Sequence, residues 1–549
     1  MTLDQYGGDT SLPVPGGATG YFRTGKLNGN RWVLVSPLGN TVWLRGVFGV
    51  GGSGSIPDQG VSYDTRVLAK YGSYATWRLQ TVRRLKAWGF NAAVEYSEDG
   101  FTNLPSTDRL PNQVISRGAF YGLYNQGNYA SGAFKDLIEC LTVIGGAYTG
   151  FDHGRLPDVF DPLFATYITN RVAAGVADLN YSPTITSPWH LGLAVGDADD
   201  LFGFGVGPEI PTVGGIVHPQ SGWMSLASVP TLAASTRWGV TYSDLKVYSK
   251  YAVRDFLKAK YITVAALNAA WGSAYTSWDS DGGWGTGTGV LDENGRHTAY
   301  LGPTDGTMIG ANPTVLADLD DFLYQFAVKY FSIHRTAIKT ALPNHLVWGL
   351  ATLNSWGGIA RKPILQAAGQ YMDVIQAGVA SQQVLDLTRQ YAGDVPLVTW
   401  EGWPANPDSS IWRYPNPFGQ GALTLQSERG ARYSTRLNQL VTYQTGGEYM
   451  VAGMKWWAWM DSWAEGANWG LVSFRDNAYD GKEAIIASGV DPWGYPTGGE
   501  ERNYGDFLSW VMTANAGVAG AIGAAGLPPA AVSIRIRGIA MIDRIDTVL

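Results

Sequence analysis

Apolar and polar positions along the chain follow two patterns: short apolar runs, and longer stretches with apolar residues at helical spacing. Residues 31–35 and 41–47 are apolar runs on either side of a turn at 37–40, which predicts a β-hairpin. Residues 79–88 place apolar side chains on one face of a helix, and Gly89 follows as a stop signal. The chain therefore begins with a hairpin whose second strand is followed by a helix.

Strands and helices continue to alternate along the rest of the chain. Further strands are predicted over residues 90–96, 189–195, 345–350, 371–375, 396–401 and 450–461. Helices are predicted over residues 164–172, 248–271, 319–333, 383–390 and 422–445. Successive βα units favour an α/β fold, a (β/α)8 TIM barrel with long βα-loop insertions and small β-rich N- and C-terminal additions.

The same patterns predict three regions. We expect an N-terminal arm and β-hairpin over residues 1–40, a barrel over 41–512 and a C-terminal appendage over 513–549. Segments rich in loop-forming residues are predicted as insertions in the barrel, at positions 97–135, 201–242 and 273–313.

The amino-acid composition excludes some classes of binding partner. The chain has 22 Trp, 29 Tyr and 71 Gly, which indicates aromatic surfaces carried on glycine-rich loops. Its net charge is −7 and it has no basic block, so we expect neither nucleic acid nor an anionic membrane as a partner. A single cysteine and histidines without HExxH or HxH spacing form no metal-binding pattern, so neither a metal nor a cofactor is expected.

The N-terminus carries neither the basic region nor the apolar run of a signal peptide. No apolar stretch approaches the ~18 residues of a transmembrane helix. We therefore expect a cytoplasmic protein unless a leader has been removed.

The segment 395–403 combines an inner-type strand with a carboxylate at its end. Residues 396–399 are apolar and β-branched, Gly402 ends the run, and Glu401 has Trp400 and Trp403 close on either side. Indole rings stack on the apolar faces of sugars, and a carboxylate can attack or stabilise an electron-poor anomeric carbon. The pattern fits a sugar site, and it fits a strand-capping Glu equally well.

Catalytic side chains of a barrel enzyme lie at the carboxyl ends of its strands. This rule selects Glu95, Asp197, Asp199, Asp200, Asn354, Trp356, Glu401, Trp403, Trp457, Trp459 and Asp461. Acids and aromatics dominate this set. A retaining glycosidase needs two carboxyl groups about 5–5.5 Å apart, and the ends of the fourth and seventh strands are suitable places for them.

Five short segments carry a family resemblance: Trp32-Val-Leu-Val-Ser-Pro-Leu-Gly-Asn40, Arg84-Leu-Lys-Ala-Trp-Gly-Phe-Asn91, Val159-Phe-Asp-Pro162, Leu191-Gly-Leu-Ala-Val195 and Leu267-Asn-Ala-Ala-Trp-Gly272. They resemble the clan of retaining (β/α)8 glycoside hydrolases, and within it the β-agarases and related β-galactosidases. The resemblance implies an acid/base after the fourth strand and a nucleophile after the seventh. Glu401 stands at the position of that nucleophile.

The fourth strand departs from the family pattern. Enzymes of this clan usually end it on Asn-Glu, whereas here Val195 is followed by Gly196-Asp-Ala-Asp-Asp200. Asp197 then takes the Asn position and Ala198 takes the Glu position. Either Asp197 or Asp199 can serve as the acid, Glu209 is a third candidate, and loss of the acid is the alternative.

The remaining candidates are predicted to bind substrate. Trp457 and Trp459 alternate along a predicted strand, so they either form a sugar platform or fill the core. We expect Trp403 to contact ligand at the mouth, and Glu95 to be a hydrogen-bonding or ion-pair partner and not a catalyst. Asn354 either orients a substrate hydroxyl or caps its strand. Substrate contacts are also predicted for Trp356, Asp200 and Asp461.

The predicted function is a glycoside hydrolase that cleaves O-glycosidic bonds in a poly- or oligosaccharide, with a galactan such as agar as the candidate. In a retaining double displacement Glu401 attacks the anomeric carbon, while an Asp of residues 197–200 protonates the leaving oxygen and then activates water. The alternative is a non-catalytic carbohydrate-binding protein on a degenerate glycosidase barrel, which Ala198 favours.

Overall fold

The computed structural model of the protein describes residues 2–52, 62–98, 101, 104–113, 159–162, 164–177, 182–195, 212–213, 216–217, 235–237, 240–242, 248–279, 288–291, 312–353, 362–378, 382–403, 423, 425–461, 468–481 and 506–523. Two compact units divide the chain. Unit 1 comprises Met1–Val114, Ser187–Leu191 and Pro396–Leu549, and unit 2 comprises Ile115–Thr186 and Gly192–Val395.

The strands of the described residues are β1 (Asp9–Pro13), β2 (Arg23–Leu27), β3 (Arg31–Val35), β4 (Asn40–Val42), β5 (Leu44–Val47), β6 (Ala92–Ala93), β7 (Leu193–Val195), β8 (Thr212–Val213), β9 (Ile216–Val217), β10 (Ser235–Arg237), β11 (Val240–Tyr242), β12 (Val347–Leu353), β13 (Val374–Ala377), β14 (Leu397–Glu401) and β15 (Val451–Trp456). The helices are α1 (Tyr63–Tyr71), α2 (Tyr74–Ala87), α3 (Phe164–Ala177), α4 (Ser182–Ile185), α5 (Tyr248–Tyr261), α6 (Val264–Trp271), α7 (Pro313–Ala341), α8 (Lys362–Tyr371), α9 (Gln382–Ala392), α10 (Gln426–Thr442) and α11 (Leu508–Gly523).

Unit 1 begins with an antiparallel sheet in the order β1-β4-β3-β2. The predicted hairpin is its β3–β4 pair, with Leu34 opposite Val42, so that prediction is confirmed. The turn depends on Gly39, whose φ is +89° and whose Cβ would lie 2.6 Å from the carbonyl carbon of Gly17.

Unit 1 also contains a run of parallel strands. β14 pairs with β15, β15 with β5, and β5 with β6. Parallel bridges continue this run from Ala93 to Asn112 and from Asn112 to His190. β15 is the last of these strands in the chain and β5 is the first, so their pairing is the one that closure of a barrel requires.

Helix α2 forms where the sequence predicts it. The Ser73 side chain caps its N-terminus by accepting a hydrogen bond from the Thr76 amide. Trp77 and Leu85 are fully buried on one face, and Gly89, with φ at +81°, ends the helix. The chain then enters β6, which is shorter than the predicted strand over 90–96.

Both predicted boundaries of the barrel region fall inside secondary structure. β4 crosses the boundary at residue 41, and α11 crosses the boundary at residue 513. α11 packs on α10, where the Tyr433 hydroxyl donates to Asn515 Oδ1 at 2.8 Å. Residue 513 therefore lies within a helix that packs on α10, and the division into three regions stays a prediction. Residues 524–549 lie outside the described residues.

Unit 2 has its own parallel strands in the order β7-β12-β13. Val347 lies opposite Leu193, and Trp348 opposite Val374. The helix predicted over 248–271 is instead two helices, α5 and α6, because Ile262 adopts a φ of +65° and Thr263 caps the second one. Helix α8 was not predicted. Among the described residues, each helix is too short or too polar to cross a lipid bilayer.

Candidate active site

Four aromatic rings meet at the carboxyl ends of four parallel strands of unit 1. Phe48 follows β5, Tyr96 comes after β6, Trp400 lies at the end of β14 and Trp457 follows β15. The ring centres of Phe48 and Trp400 are 4.6 Å apart, and those of Trp400 and Trp457 are 5.5 Å apart. Tyr96 stands edge-on to Trp457 at 5.7 Å. We call these four residues the aromatic platform.

The platform offers apolar ring surface to a ligand. Phe48 is fully buried, whereas Tyr96, Trp400 and Trp457 are partly exposed. Partly exposed indole and phenol rings at the catalytic end of barrel strands can stack on the apolar face of a sugar. This grouping supplies the aromatic surface that the composition predicted.

The last two residues of β14 point to opposite sides of the strand. In the parallel pair with β15, Trp400 lies opposite Lys455, and Glu401 opposite Trp456. Successive side chains of a strand point to opposite faces. Trp400 accordingly joins the platform, while the carboxylate of Glu401 binds Arg436 of α10.

Glu401 is fully buried and only one of its oxygens is hydrogen-bonded. Arg436 donates from Nε and Nη2 to Oε1, at 3.0 and 2.9 Å. Oε2 has no hydrogen-bond partner among the described residues. Burial raises the pKa of the Glu401 carboxyl, and the charge of Arg436 opposes that shift. Arg436 therefore orients the carboxylate through Oε1, and the Thr399 side chain also acts to lower its pKa.

A buried polar cluster lies beside the platform. Lys455 forms an ion pair with Glu95 and donates a hydrogen bond to Gln113 Oε1 at 2.6 Å. All three side chains are buried. Burial lowers the pKa of Lys455 to about 8, against the opposing charge of Glu95. The expectation that Glu95 is an ion-pair member is thus confirmed, while a contact between Glu95 and substrate stays a prediction.

The predicted tryptophans separate into different environments. Trp457 belongs to the platform, and Trp403, which is partly exposed, packs on Trp456 at 5.8 Å between ring centres. Trp459 is fully buried and donates from Nε1 to the Tyr63 hydroxyl at 3.0 Å. Trp459 is therefore not one of the four platform rings, because β15 ends at Trp456 and its alternation does not extend to residue 459. A contact between Trp459 and substrate stays a prediction.

Asp461 is also a structural residue. It is fully buried, and it accepts hydrogen bonds from the Gly470 amide at 2.9 Å, from Asn468 Nδ2 at 3.0 Å and from the Tyr479 hydroxyl. Burial raises the pKa of its carboxyl to about 6. These contacts hold the segment 468–479, and a contact between Asp461 and substrate stays a prediction.

Six candidates lie outside the described residues: Asp197, Asp199, Asp200, Glu209, Asn354 and Trp356. Their roles stay predictions, and β7 does end at Val195 as expected. Sequence analysis missed Phe48, Tyr96, Gln113, Arg436 and Lys455 and did not count Trp400 as a site residue. Phe48 and Tyr96 carry a usable signal, because Phe48 follows the predicted strand 41–47 and Tyr96 is the last residue of the predicted strand 90–96.

Comparison with known proteins addresses the family resemblance. No protein-family model matches the chain. It is 24% identical over 520 residues to Beta-agarase B of Vibrio sp. (strain JT0107), an alignment that covers 86% of this chain and 48% of that protein. It is also 24% identical over 442 residues to Beta-agarase A of the same strain, covering 76% of this chain and 36% of that protein. The chain thus spans half or less of the length of these curated relatives.

Solved structures that superpose on this chain are also agarases. The structure of the agarase AgWH50C superposes with a TM-score of 0.64 at 18% identity, covering 95% of this chain and 68% of that chain. An exo-beta-agarase superposes with a TM-score of 0.62 at 18% identity, covering 95% of this chain and 67% of that one. The predicted resemblance to β-agarases is confirmed. The chain has the TIM-barrel fold of these glycoside hydrolases, as its βα pattern predicted.

Proposed function

We propose that this chain is a glycoside hydrolase that cleaves O-glycosidic bonds in an agar-type galactan, with Glu401 as its nucleophile. The observation that carries the proposal is the end of β14, where a ring of the aromatic platform and a buried carboxylate oriented by Arg436 are consecutive residues. The likeness to two β-agarases supports an agar-type substrate.

The chemistry follows from these groups. Because Trp400 and Glu401 point to opposite faces of β14, the sugar that Glu401 attacks lies beyond the end of the strand, beside the platform. Oε2 of Glu401 bonds to the anomeric carbon as the bond to the leaving oxygen breaks, and Arg436 holds Oε1. Asp197 or Asp199 donates a proton to the leaving oxygen. It then takes a proton from water, whose oxygen displaces Glu401.

A second candidate function is binding of the same sugar without hydrolysis. The complete burial of Glu401 and its ion pair with Arg436 favour this candidate, since a strand-end carboxylate in that setting also serves structure alone. Ala198 at the family's acid position favours it as well.

A reducing-sugar assay on agarose, other galactans, xylans and glucans separates the two candidates. We expect the wild type to release sugar from agarose and Glu401→Gln to lose at least about 10³-fold in kcat, because the amide cannot form the glycosyl-enzyme bond. Thermal unfolding of the variant checks that it is folded.

Glu448→Gln is the matched control. Glu448 pairs with Lys26 on the surface of the same unit, at 2.8 Å, so its loss leaves activity unchanged. Binding of agarose-derived oligosaccharide without any release by the wild type would establish the binding protein instead. Full activity of Glu401→Gln would remove Glu401 from the reaction.

A further inference from the structure

The ion pair between Lys455 and Glu95 joins two strands that lie on either side of β5. Lys455 lies in β15 and Glu95 comes just after β6, and both of these strands pair with β5. The lysine side chain passes Gly46 of β5, where an added Cβ would lie 3.4 Å from Lys455 Cγ and 2.6 Å from Val94 Cγ1. The glycine therefore makes room for the pair, and Lys455 Nζ lies 5.8 Å from the ring centre of Phe48.

Each member of the pair is joined through the backbone to a ring of the platform. Glu95 directly precedes Tyr96, and Lys455 stands two residues before Trp457. Tyr96 has a φ of +63°, an unfavourable conformation for a bulky residue that persists only where its surroundings hold it. The Gly49 amide also donates to the Glu95 carbonyl at 3.0 Å. These links fix the backbone on which the edge-to-face contact of Tyr96 and Trp457 depends.

Stability alone does not explain this pair. Barrel interiors are usually filled by apolar branched side chains. A buried ion pair is seldom more stabilising than well-packed apolar residues of the same volume. Here Glu95 Oε2 and Gln113 Nε2, both buried, have no hydrogen-bond partner among the described residues. Each buried polar atom without a partner calls for an explanation, and a role in a nearby site is one.

We propose that the Lys455–Glu95 pair is a positioning device that holds Tyr96 and Trp457 in the geometry that stacks on the apolar face of a galactan sugar. Neither Lys455 nor Glu95 touches the reacting atoms. The inference rests on the proposed function in taking a galactan as the ligand.

The double variant Lys455→Met/Glu95→Gln tests this role, because it removes both charges and nearly preserves volume. Titration calorimetry with a tetrasaccharide prepared from agarose measures the Kd, and turnover of agarose measures KM and kcat. We expect Kd and KM to rise about tenfold, the scale of one aromatic stacking contact, while kcat stays within about twofold. The midpoint of urea unfolding should not fall.

Asp476→Asn is the matched control, since it breaks another ion pair of unit 1, between Asp476 and Arg84, that contacts none of the platform rings. We expect it to lower stability and to leave Kd unchanged. If Kd rises in each variant in proportion to its loss of stability, the Lys455–Glu95 pair has a structural role only, and the inference is overturned.

Gly46→Ala keeps the test decisive if the double variant does not fold. Its methyl group displaces Val94 and the stem of Lys455 without removing a charge, so Kd should rise by about threefold. If the wild type hydrolyses agarose and the folded variant has an unchanged Kd, the inference is overturned but the proposed function stands. A wild type that neither binds nor cleaves any galactan overturns the inference and the proposed function together.

Discussion

Two ion pairs of unit 1, Asp476–Arg84 and Glu95–Lys455, have different surroundings. Asp476 accepts hydrogen bonds at both oxygens: Oδ1 from Tyr63 and Arg84, at 2.6 and 2.9 Å, and Oδ2 from Tyr71 and Arg84. Glu95, in contrast, meets Lys455 with one oxygen and leaves the other without a partner among the described residues. The first carboxylate is satisfied at both oxygens and the second is not.

This difference separates structure from function. A satisfied buried pair resists substitution because its loss leaves several donors without an acceptor. The pair at the platform, which is incompletely hydrogen-bonded among the described residues, is the one we assign to binding. The Arg436–Glu401 pair resembles the second kind, since Arg436 binds one oxygen, Oε1, of the Glu401 carboxylate.

The largest stability effect is expected at the satisfied pair. Asp476→Asn should lower the free energy of unfolding by about 3 kcal/mol, because Arg84, Tyr63 and Tyr71 lose their shared, charged acceptor. Asn tolerates the φ of +61° at this position, so backbone strain does not contribute. Urea unfolding of wild type and variant measures the difference. A loss below about 1 kcal/mol would contradict this expectation, because it is the range of weakly stabilising surface ion pairs.

A smaller effect is expected from the pH dependence of Asp461. Its folded pKa of about 6 lies above the ordinary 3.8, so the folded state binds the proton more tightly than the unfolded state. The stability from this group is therefore fully present below about pH 4 and is lost as pH rises through 6. Between pH 4 and 6.5 the unfolding free energy should fall by about 2 kcal/mol more in the wild type than in Asp461→Asn. Equal pH slopes in urea titrations of the two proteins would contradict this account.

The smallest effects distinguish two tryptophans. Trp459→Phe removes the hydrogen bond to Tyr63 and should lower the free energy of unfolding by about 1 kcal/mol, with sugar affinity unchanged. Trp457→Phe should weaken binding of the agarose tetrasaccharide about fivefold, with stability unchanged. Calorimetry and urea unfolding of both variants provide the comparison. Loss of affinity in Trp459→Phe alone would reverse the assignment of the two rings.

Local signals made part of the fold predictable. The β3–β4 hairpin and α2 form as expected because their turn, cap and stop residues lie within the elements themselves. The break between α5 and α6 was missed because one residue, Ile262, adopts a left-handed conformation that apolar periodicity does not reveal.

The site was predictable only at single strand ends. Glu401 is found because it ends an apolar run, but its orientation toward Arg436 depends on which face of β14 packs on α10. Alternation gives the two faces and does not say which one faces a helix. The Lys455–Glu95 pair joins residues 360 positions apart, and no local pattern links them.

The most direct test of the central claim is azide rescue of Glu401→Ala on an agarose-derived oligosaccharide. Azide is small enough to occupy the space of the lost carboxylate and to attack the anomeric carbon from the same side. We predict that azide raises turnover of the variant at least about tenfold and that the product is a glycosyl azide of inverted anomeric configuration. Hydrolysis by the wild type, with no azide product and no rescue in the variant, would contradict Glu401 as the nucleophile.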